Sequence, residues 1–364
     1  MGYHRFPYRW KLRDSVFTKD KGKVFSCFAC GGGSTMGYKL AGFDVIGCNE
    51  IDERVNKNYV RNHNPKYNFL CDIRKMVDMA KKRELPEELY NLDILDGSPP
   101  CSTFSMSGNR EADWGKEKKF REGQQKQVLD TLFFDFIALA NELRPKVVIA
   151  ENVKGILLGN ALEYTKRIHS ELEDAGYYCS HFLLNAASMG VPQRRERCFF
   201  VAIRKDLGAV LEKQEASIFD DSCPKLDLSF NEEPIPFGEI ADYKGKPIKE
   251  GTKTRLLWDN IQKDDTSLAD VHLRMFGKNG FFNCRLYDDD KVAPTVVGGG
   301  HGCLIVKSKP VYVSITENIL CGSFPLDYET DSEQELTYLI GMSVPPIMMA
   351  QVASRVYEQW LSKI

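Results

Sequence analysis

Three short runs carry side chains able to do chemistry. The first is Ser98-Pro99-Pro100-Cys101-Ser102-Thr103-Phe104-Ser105. Each proline locks its own φ, and Pro100 pushes Pro99 towards an extended shape. The Cys101 thiol is therefore presented in a fixed direction, as a nucleophile would be. The competing reading is a buried, inert cysteine, the usual fate of a free one. The second run is Glu151-Asn152-Val153, which follows the apolar stretch Val147-Val148-Ile149-Ala150. Glu151 is either an acid at a strand end or a cap of the following turn. The third is Gln193-Arg194-Arg195-Glu196-Arg197. In an extended segment Gln193, Arg195 and Arg197 point to one side. One amide and two guanidiniums on one face can clamp phosphates or a polarised carbonyl, or they form a surface ladder with Glu196. A thiol, an acid and a pair of cations are parts that nucleophilic catalysis can use.

These residues need elements to position them. Val24-Phe25-Ser26-Cys27-Phe28 reads as a buried strand, Ala29-Cys30-Gly31-Gly32-Gly33-Ser34 as a glycine turn, and 35–41 as a helix. Strand, glycine turn and helix open a dinucleotide-type βαβ unit. Val45-Ile46-Gly47-Cys48-Asn49 reads as the second strand and ends at Glu50, 19 residues after Gly31. That spacing suits a carboxylate that holds ribose hydroxyls, so a nucleoside-bearing cofactor is expected. Cys27 and Cys30 also fit a C-x-x-C pattern, but Cys27 lies inside the strand and no second pair completes a zinc set, so no metal is expected. A third unit ends at Cys71-Asp72-Ile73, with Asp72 at a strand end, at a helix N-cap, or both. The fourth strand leads to Cys101. The charged, glycine-bounded segment 108–123 reads as a lid beside the nucleophile or as a solvated loop. Apolar spacing predicts helices over 124–143 and 161–175, and strands over 177–184 and 198–203. Alternating strands and helices of this kind make an α/β protein with a parallel sheet.

With 364 residues the chain suggests two or three domains and an ample core. No long uncharged apolar run stands out, so a membrane is not expected. Eleven cysteines without a signal-type apolar core read as reduced thiols in a cytoplasm. The net charge of −2 is uninformative, but its distribution is uneven. Residues 1–23 carry seven bases against two acids, whereas 317–335 carries Glu317, Asp327, Glu329, Asp331, Glu333 and Glu335 without a base. Such segregation permits a local positive face, or a solvated tail. From 205 to about 311 the chain is rich in Pro, Gly, Asp and Lys. It reads as a smaller loop-rich domain, with exposed turns and short strands at 274–280, 285–287 and 293–296. A short helix follows within 314–328. A last helix, 348–361, buries Met349, Val352, Val356 and Trp360.

In order along the chain, these motifs resemble the DNA cytosine-5 methyltransferase family, of the bacterial and phage restriction-modification type. Residues 28–37 resemble its cofactor loop, Pro99-Pro100-Cys101 its catalytic loop, Glu151-Asn152-Val153 its acid motif and 193–197 its Q-x-R-x-R motif. Glu317 through Phe324-Pro325 resembles the ninth motif, and Gly341-Met342-Ser343-Val344-Pro345-Pro346 the tenth. Three positions depart from the pattern: Cys30 stands for the first glycine, Met342 for an asparagine and Thr316 for an arginine. The resemblance implies a Rossmann-like S-adenosylmethionine-dependent sheet with a smaller target-recognition domain. It divides the chain into a basic arm (1–23), a catalytic and cofactor-binding domain (24–204), a target-recognition domain (205–311) and a returning C-terminal segment (312–364). It implies S-adenosyl-L-methionine contacts from Phe28, Gly31, Gly32, Gly33, Glu50, Ile51, Asp72, Ile73, Pro100, Ser343 and Val344. Cys101 would add to carbon 6 of a flipped-out cytosine. Glu151, its pKa raised by burial, would steady ring nitrogen 3. Arg195 would hold the cytosine carbonyl with Arg197 in support. Ser105, Gln193, Arg195 and Thr295 would meet DNA. The expected partner is double-stranded DNA, with a cognate restriction endonuclease at the same site, and the expected state is a monomer in a prokaryotic or phage-infected cytoplasm. A tRNA cytosine methyltransferase is the nearer rival, although the Cys-Phe-Thr tripeptide is absent. An NAD-linked oxidoreductase would leave Cys101, Glu151 and the arginines unexplained.

Overall fold

A computed structural model describes residues 4–100, 117–118, 127–128, 131–159, 161–215, 224–281, 284–298 and 303–364. In chain order the elements begin β1 (Lys23–Cys27), α1 (Gly33–Ala41), β2 (Asp44–Glu50), α2 (Glu53–His63), β3 (Tyr67–Leu70), α3 (Ile73–Lys81) and β4 (Ile94–Gly97). There follow β5 (Glu117–Lys118), β6 (Gln127–Val128), α4 (Leu132–Leu143), β7 (Val147–Val153), α5 (Ala161–Asp174), β8 (Tyr177–Asn185), β9 (Gln193–Arg194), β10 (Glu196–Arg204) and α6 (Lys205–Glu215). The remainder is α7 (Phe237–Ile240), α8 (Lys253–Trp258), α9 (Leu268–Phe276), β11 (Cys284–Tyr287), β12 (Ala293–Pro294), β13 (Cys303–Val306), α10 (Ile315–Cys321), α11 (Glu333–Met342) and α12 (Pro346–Gln359).

One seven-stranded sheet dominates, in the order β3-β2-β1-β4-β7-β10-β8. Strands β1, β2, β3, β4 and β7 pair in parallel, and β10 runs antiparallel to β7. The inner strands are buried and mainly apolar, as parallel strands covered on both faces are, with Ser26, Asp96, Glu151 and Asn152 as buried polar exceptions. Phe25, Leu95, Val148 and Phe200 pack with Phe133, Phe136 and Leu139 of α4 in one core. The strand order reverses at β1, between β2 and β4, and ligands of open α/β sheets bind at the carboxyl ends beside such a point.

The chain forms two compact units. One comprises Val16–Leu184, Glu196–Ser229 and Met349–Ile364 and holds the sheet. The other comprises Met1–Ser15, Asn185–Arg195 and Phe230–Met348. In this second unit a small core of Ile248, Leu257, Leu268, Val271, Leu286 and Ile305 joins α8, α9, β11 and β13.

Three expectations change. The helix expected from 124 begins at Leu132, and Gln127–Val128 instead pairs antiparallel with Glu117–Lys118. The turns expected at 274–280 include the end of α9, whose start carries a Ser267/Asp270 capping box. The basic N-terminal run and the acidic run 317–335 meet each other within the second unit. Asp327 accepts from the backbone N–H of Leu12 (2.6 Å) and Arg13 (3.0 Å), and Arg13 pairs with Glu329. Tyr8 donates to Glu239, His4 pairs with Glu232, and the Trp10 indole donates to Ser323 O. The segregated charges thus clasp the chain to itself. The apolar stretch Glu333–Lys363 has the length of a membrane span, but 83% of its apolar window is buried, as in a core helix.

Candidate active site

The carboxyl edge of the sheet is built around the turn after β1. Phe28 (φ 53°) and Cys30 (φ 48°) both adopt left-handed backbone, and Gly32 (φ 73°) caps α1. At Gly32 only glycine fits, because an added Cβ would run into His63 Nε2. No side chain caps α1, so the amide groups of its first turn remain available to an anionic group. Beside the turn, Glu50 ends β2. Its carboxylate accepts from the N–H of Cys30 (3.0 Å), Ile51 (2.8 Å) and Asp52 (3.0 Å), which fixes its direction. Burial pushes the Glu50 carboxyl up despite those bonds. Asp72 N-caps α3 through Arg74 N–H (2.9 Å), with Ile73 buried next to it. A glycine turn, an oriented carboxylate and a capping aspartate on adjacent strand ends fit a ligand with an anionic group and a nucleoside.

One strand further along lies the acid. The β4–β7 ladder ends at Gly97↔Ala150, so Glu151 is the first residue of β7 beyond β4, while β10 still covers it through Phe199. Glu151 is buried, and Arg197 Nε lies 2.8 Å from its Oε1. Burial pulls the Arg197 guanidinium down, and Glu151 pulls it back up. Next to the acid, Asn152 Nδ2 donates to Pro99 O (3.1 Å), and its Oδ1 accepts from Val153 N–H (2.8 Å). The acid motif therefore anchors the segment that runs through Pro100 towards the thiol. Asn152 escaped the sequence reading. Its place within Glu-Asn-Val was the available signal. Glu196 pairs with Lys154 (3.0 Å).

In the second unit Gln193 and Arg195 serve the backbone. Gln193 Nε2 donates to Cys321 O (2.8 Å), and its Oε1 accepts from Val296 N–H (3.1 Å). Arg195 is 2% exposed. Its Nη1 donates to Val296 O (3.2 Å) and its Nη2 to Gly341 O (2.9 Å). Gly341 is itself pressed against the backbone of Val297 and Gly298 too closely to carry a side chain. Together these groups latch the segment 293–298 to α11. Thr295 lies on that segment and donates to Arg194 O (2.7 Å). Ser343 and Val344 are buried after α11, and Ser343 Oγ has no hydrogen-bond partner among the described residues. Met342, the departure from the tenth motif, is 40% exposed. The single face expected of Gln193, Arg195 and Arg197 does not form. β9 ends at Arg194 and β10 begins at Glu196, so no continuous strand aligns the three. Arg195, expected on the substrate, sits on backbone carbonyls, and Arg197 meets the acid. Cys101, Ser105 and, apart from Glu117–Lys118, the lid segment 108–123 lie outside the described residues. Among those that are described, no group of three His, Cys, Asp or Glu side chains could hold a metal.

Residues 22–358 match the C-5 cytosine-specific DNA methylase family. The type II methyltransferase M.FnuDI of Fusobacterium nucleatum is 31% identical over 299 residues, covering 82% of this chain and 76% of that protein. M.DdeI of Desulfomicrobium norvegicum is 29% identical over 252 residues, covering 67% of this chain and 55% of its own length. Among solved structures, a DNA modification methyltransferase encoded within an E. coli prophage is similar with a TM-score of 0.63 at 20% identity, over 92% of this chain and 98% of that one. S. pombe Dnmt2 methyltransferase gives 0.57 at 16% identity, over 93% and 98%. The structural likenesses show the fold: a Rossmann-like methyltransferase sheet. With the family match spanning nearly all of it, the chain belongs to the C-5 cytosine-specific DNA methylases, and type II restriction-modification methyltransferases are among its relatives.

Proposed function

We propose that this chain transfers a methyl group from S-adenosyl-L-methionine to carbon 5 of a cytosine flipped out of a short, specific duplex DNA site. The observation that carries the reading is the buried Glu151–Arg197 pair, at 2.8 Å, on the strand whose Asn152 holds Pro99. The family match supports the same reaction. S-adenosyl-L-methionine supplies an electrophilic methyl carbon. Glu50, Asp72 and the turn from Phe28 to Gly33 would hold it, since their donors and acceptors suit a carboxylate and a ribose.

The residues of the chain divide the remaining work. Carbon 5 of cytosine is a poor nucleophile. Addition of the Cys101 thiolate to carbon 6 forms an S–C bond and leaves an electron pair free to attack from carbon 5. Glu151 steadies the charge that builds at ring nitrogen 3. Arg197 orients Glu151 and can reach the neighbouring carbonyl, the role first expected of Arg195. Loss of the carbon 5 proton and expulsion of the thiolate restore the ring. Flipping costs about a few kcal/mol of stacking and pairing. We assign target reading to the unit that contains 230–348, with Thr295 on its latched segment.

Transfer of labelled methyl groups into plasmid DNA, followed by sequencing of the modified cytosines, tests the reading. A 5-fluorocytosine duplex carrying the identified site should trap the protein covalently when methyl donor is present, and Cys101→Ser should abolish trapping. Robust methylation without any trapped complex overturns the covalent route. Methylation of tRNA in preference to DNA overturns the substrate.

A further inference from the structure

We propose that His63 is a positioning residue for the methyl donor, which pins the Gly31–Gly32 peptide and so aims the amides that open α1. The inference deepens the function proposed above and rests on it. The turn after β1 is costly to hold. Phe28, Cys30 and Gly32 take left-handed backbone at alternate positions, and such conformations persist only when their surroundings fix them. On the sheet side, Asn49 O accepts from Ala29 N–H (3.1 Å), and the Glu50 carboxylate accepts from Cys30 N–H (3.0 Å). On the other side the support comes from α2, where Tyr59 and His63 stand four residues apart and share one face.

Tyr59 is fully buried, packs with Ala29 and Cys48, and shares a hydrogen bond with Thr35 Oγ1 (2.8 Å). The His63 ring stands edge-on to Tyr59, with centroids 4.6 Å apart. Its Nε2 lies 3.5 Å from Gly31 O. The same peptide is held from its other end, because Gly32 N–H donates to Ala29 O (2.8 Å). A planar trans peptide points its carbonyl and its N–H in opposite directions, so two contacts fix its plane. That plane sets where α1 begins. At 3.5 Å the bond from His63 is long, and close packing on Gly32 does the larger share. An added Cβ at Gly32 would stand 3.1 Å from Tyr59 Cε2 and inside the imidazole. Lys39 Nζ reaches His63 O (3.4 Å), which ties the last turn of α1 to the end of α2. Burial, helped by the Lys39 charge, holds the His63 pKa down to about 3, so the ring stays neutral at working pH. A neutral ring can offer its Nε2–H to Gly31 O without placing a second cation beside Lys39.

Calorimetric binding of S-adenosylhomocysteine, the donor stripped of its methyl group, tests this on the full chain without turnover. His63→Ala should weaken binding about tenfold, through lost preorganisation of the turn. His63→Gln keeps an N–H at similar reach and should recover most of that loss. His63→Leu keeps the volume without the flat donor. It should weaken binding about threefold, and it carries the test if His63→Ala fails to fold. In turnover, His63→Ala should raise KM for the methyl donor, with kcat at saturating donor and KM for DNA within about twofold. Gly32→Ala supplies a second readout. In the His63→Ala background its collision is gone, so the double variant should bind about fivefold more tightly than the product of the two single losses gives. Wild-type affinity in His63→Ala or, where that variant does not fold, in His63→Leu overturns the role, as does an equal loss of donor and DNA binding. Strictly multiplicative losses overturn the contact that underlies it. A wild-type chain that binds neither S-adenosylmethionine nor S-adenosylhomocysteine overturns the proposed cofactor, and the role of His63 with it.

Discussion

Arg195→Lys and Arg197→Lys should fail in different ways. Arg195 reaches two carbonyls, Val296 O and Gly341 O, with two separate nitrogens of one planar group. A lysine keeps the charge but offers a single nitrogen, so one of those buried carbonyls loses its partner. A hydrogen bond to a charged group contributes about 1.5–3 kcal/mol, and an unpaired buried acceptor costs about 1–3 kcal/mol. The two figures overlap, so the loss expected for Arg195→Lys is about 2–4 kcal/mol. Against a typical total of about 5–15 kcal/mol that is a large share. Urea denaturation followed by tryptophan fluorescence reads it as a lower midpoint of the first transition. Below that transition, methyl transfer should stay within about threefold of wild type. Arg197→Lys loses the Nε bond to Glu151 and, on the function proposed above, the fork offered to the substrate carbonyl. Its rate should fall about 100-fold or more, as for loss of a donor to developing charge. If Arg195→Lys instead keeps its stability and loses its rate, the latch assignment is wrong and Arg195 touches substrate after all.

Other substitutions probe the supports. Glu317 is fully buried, and its carboxylate accepts from the N–H of Asp242 and Tyr243 (2.9 Å each) and of Ser314 (2.7 Å). Glu317→Gln turns an amide donor towards those donors and should cost about 2–4 kcal/mol, read by denaturation. A cost below about 1 kcal/mol would show that the carboxylate is dispensable. Gly32→Ala should cost about 2–3 kcal/mol and weaken methyl-donor binding, because its Cβ meets His63. Cys30→Gly, at a left-handed position, should stay within about 1 kcal/mol of wild type. A reversed order of these two would refute the turn geometry. Asp96 has a folded pKa of about 7, above its unfolded value of 3.8. Its contribution is therefore complete below about pH 4 and fades as pH rises through 7. Wild type should lose on the order of 3–4 kcal/mol relative to Asp96→Asn between pH 4 and pH 8. Parallel stability curves would show that Asp96 titrates normally.

Much of the sheet edge could be read directly. The apolar run into a glycine turn, with Glu50 at the next strand end, gave the opening βαβ unit and the place of the carboxylate at its edge. Asp72 proved to be an N-cap, one of the two roles its position allowed. Arg195 and Arg197 were harder. The alternation rule assumes one unbroken strand, and the break at Arg195 sends the two guanidiniums to different partners. Composition also misled in the second unit, where Gly, Pro and Asp hid α9 although Ser267-x-x-Asp270 marks its start. Asp96 was passed over because a carboxylate ahead of Gly97-Ser98-Pro99 looks like a loop residue. Only the register with Ser26 and Ile149 reveals that it is enclosed.

The clasp formed by residues 4–13 has a consequence for how the protein is made. Trp10 donates to Ser323 O, a partner 313 positions later in the chain. At about 5–20 residues per second, synthesis leaves that indole waiting for roughly 15–60 s. Meanwhile 16–184, which hold most of the large sheet, have already emerged and can begin to pack. The leading segment must stay unattached and uncleaved until the late residues arrive. An affinity handle or a chaperone that binds it during those seconds would compete with its own closing partner.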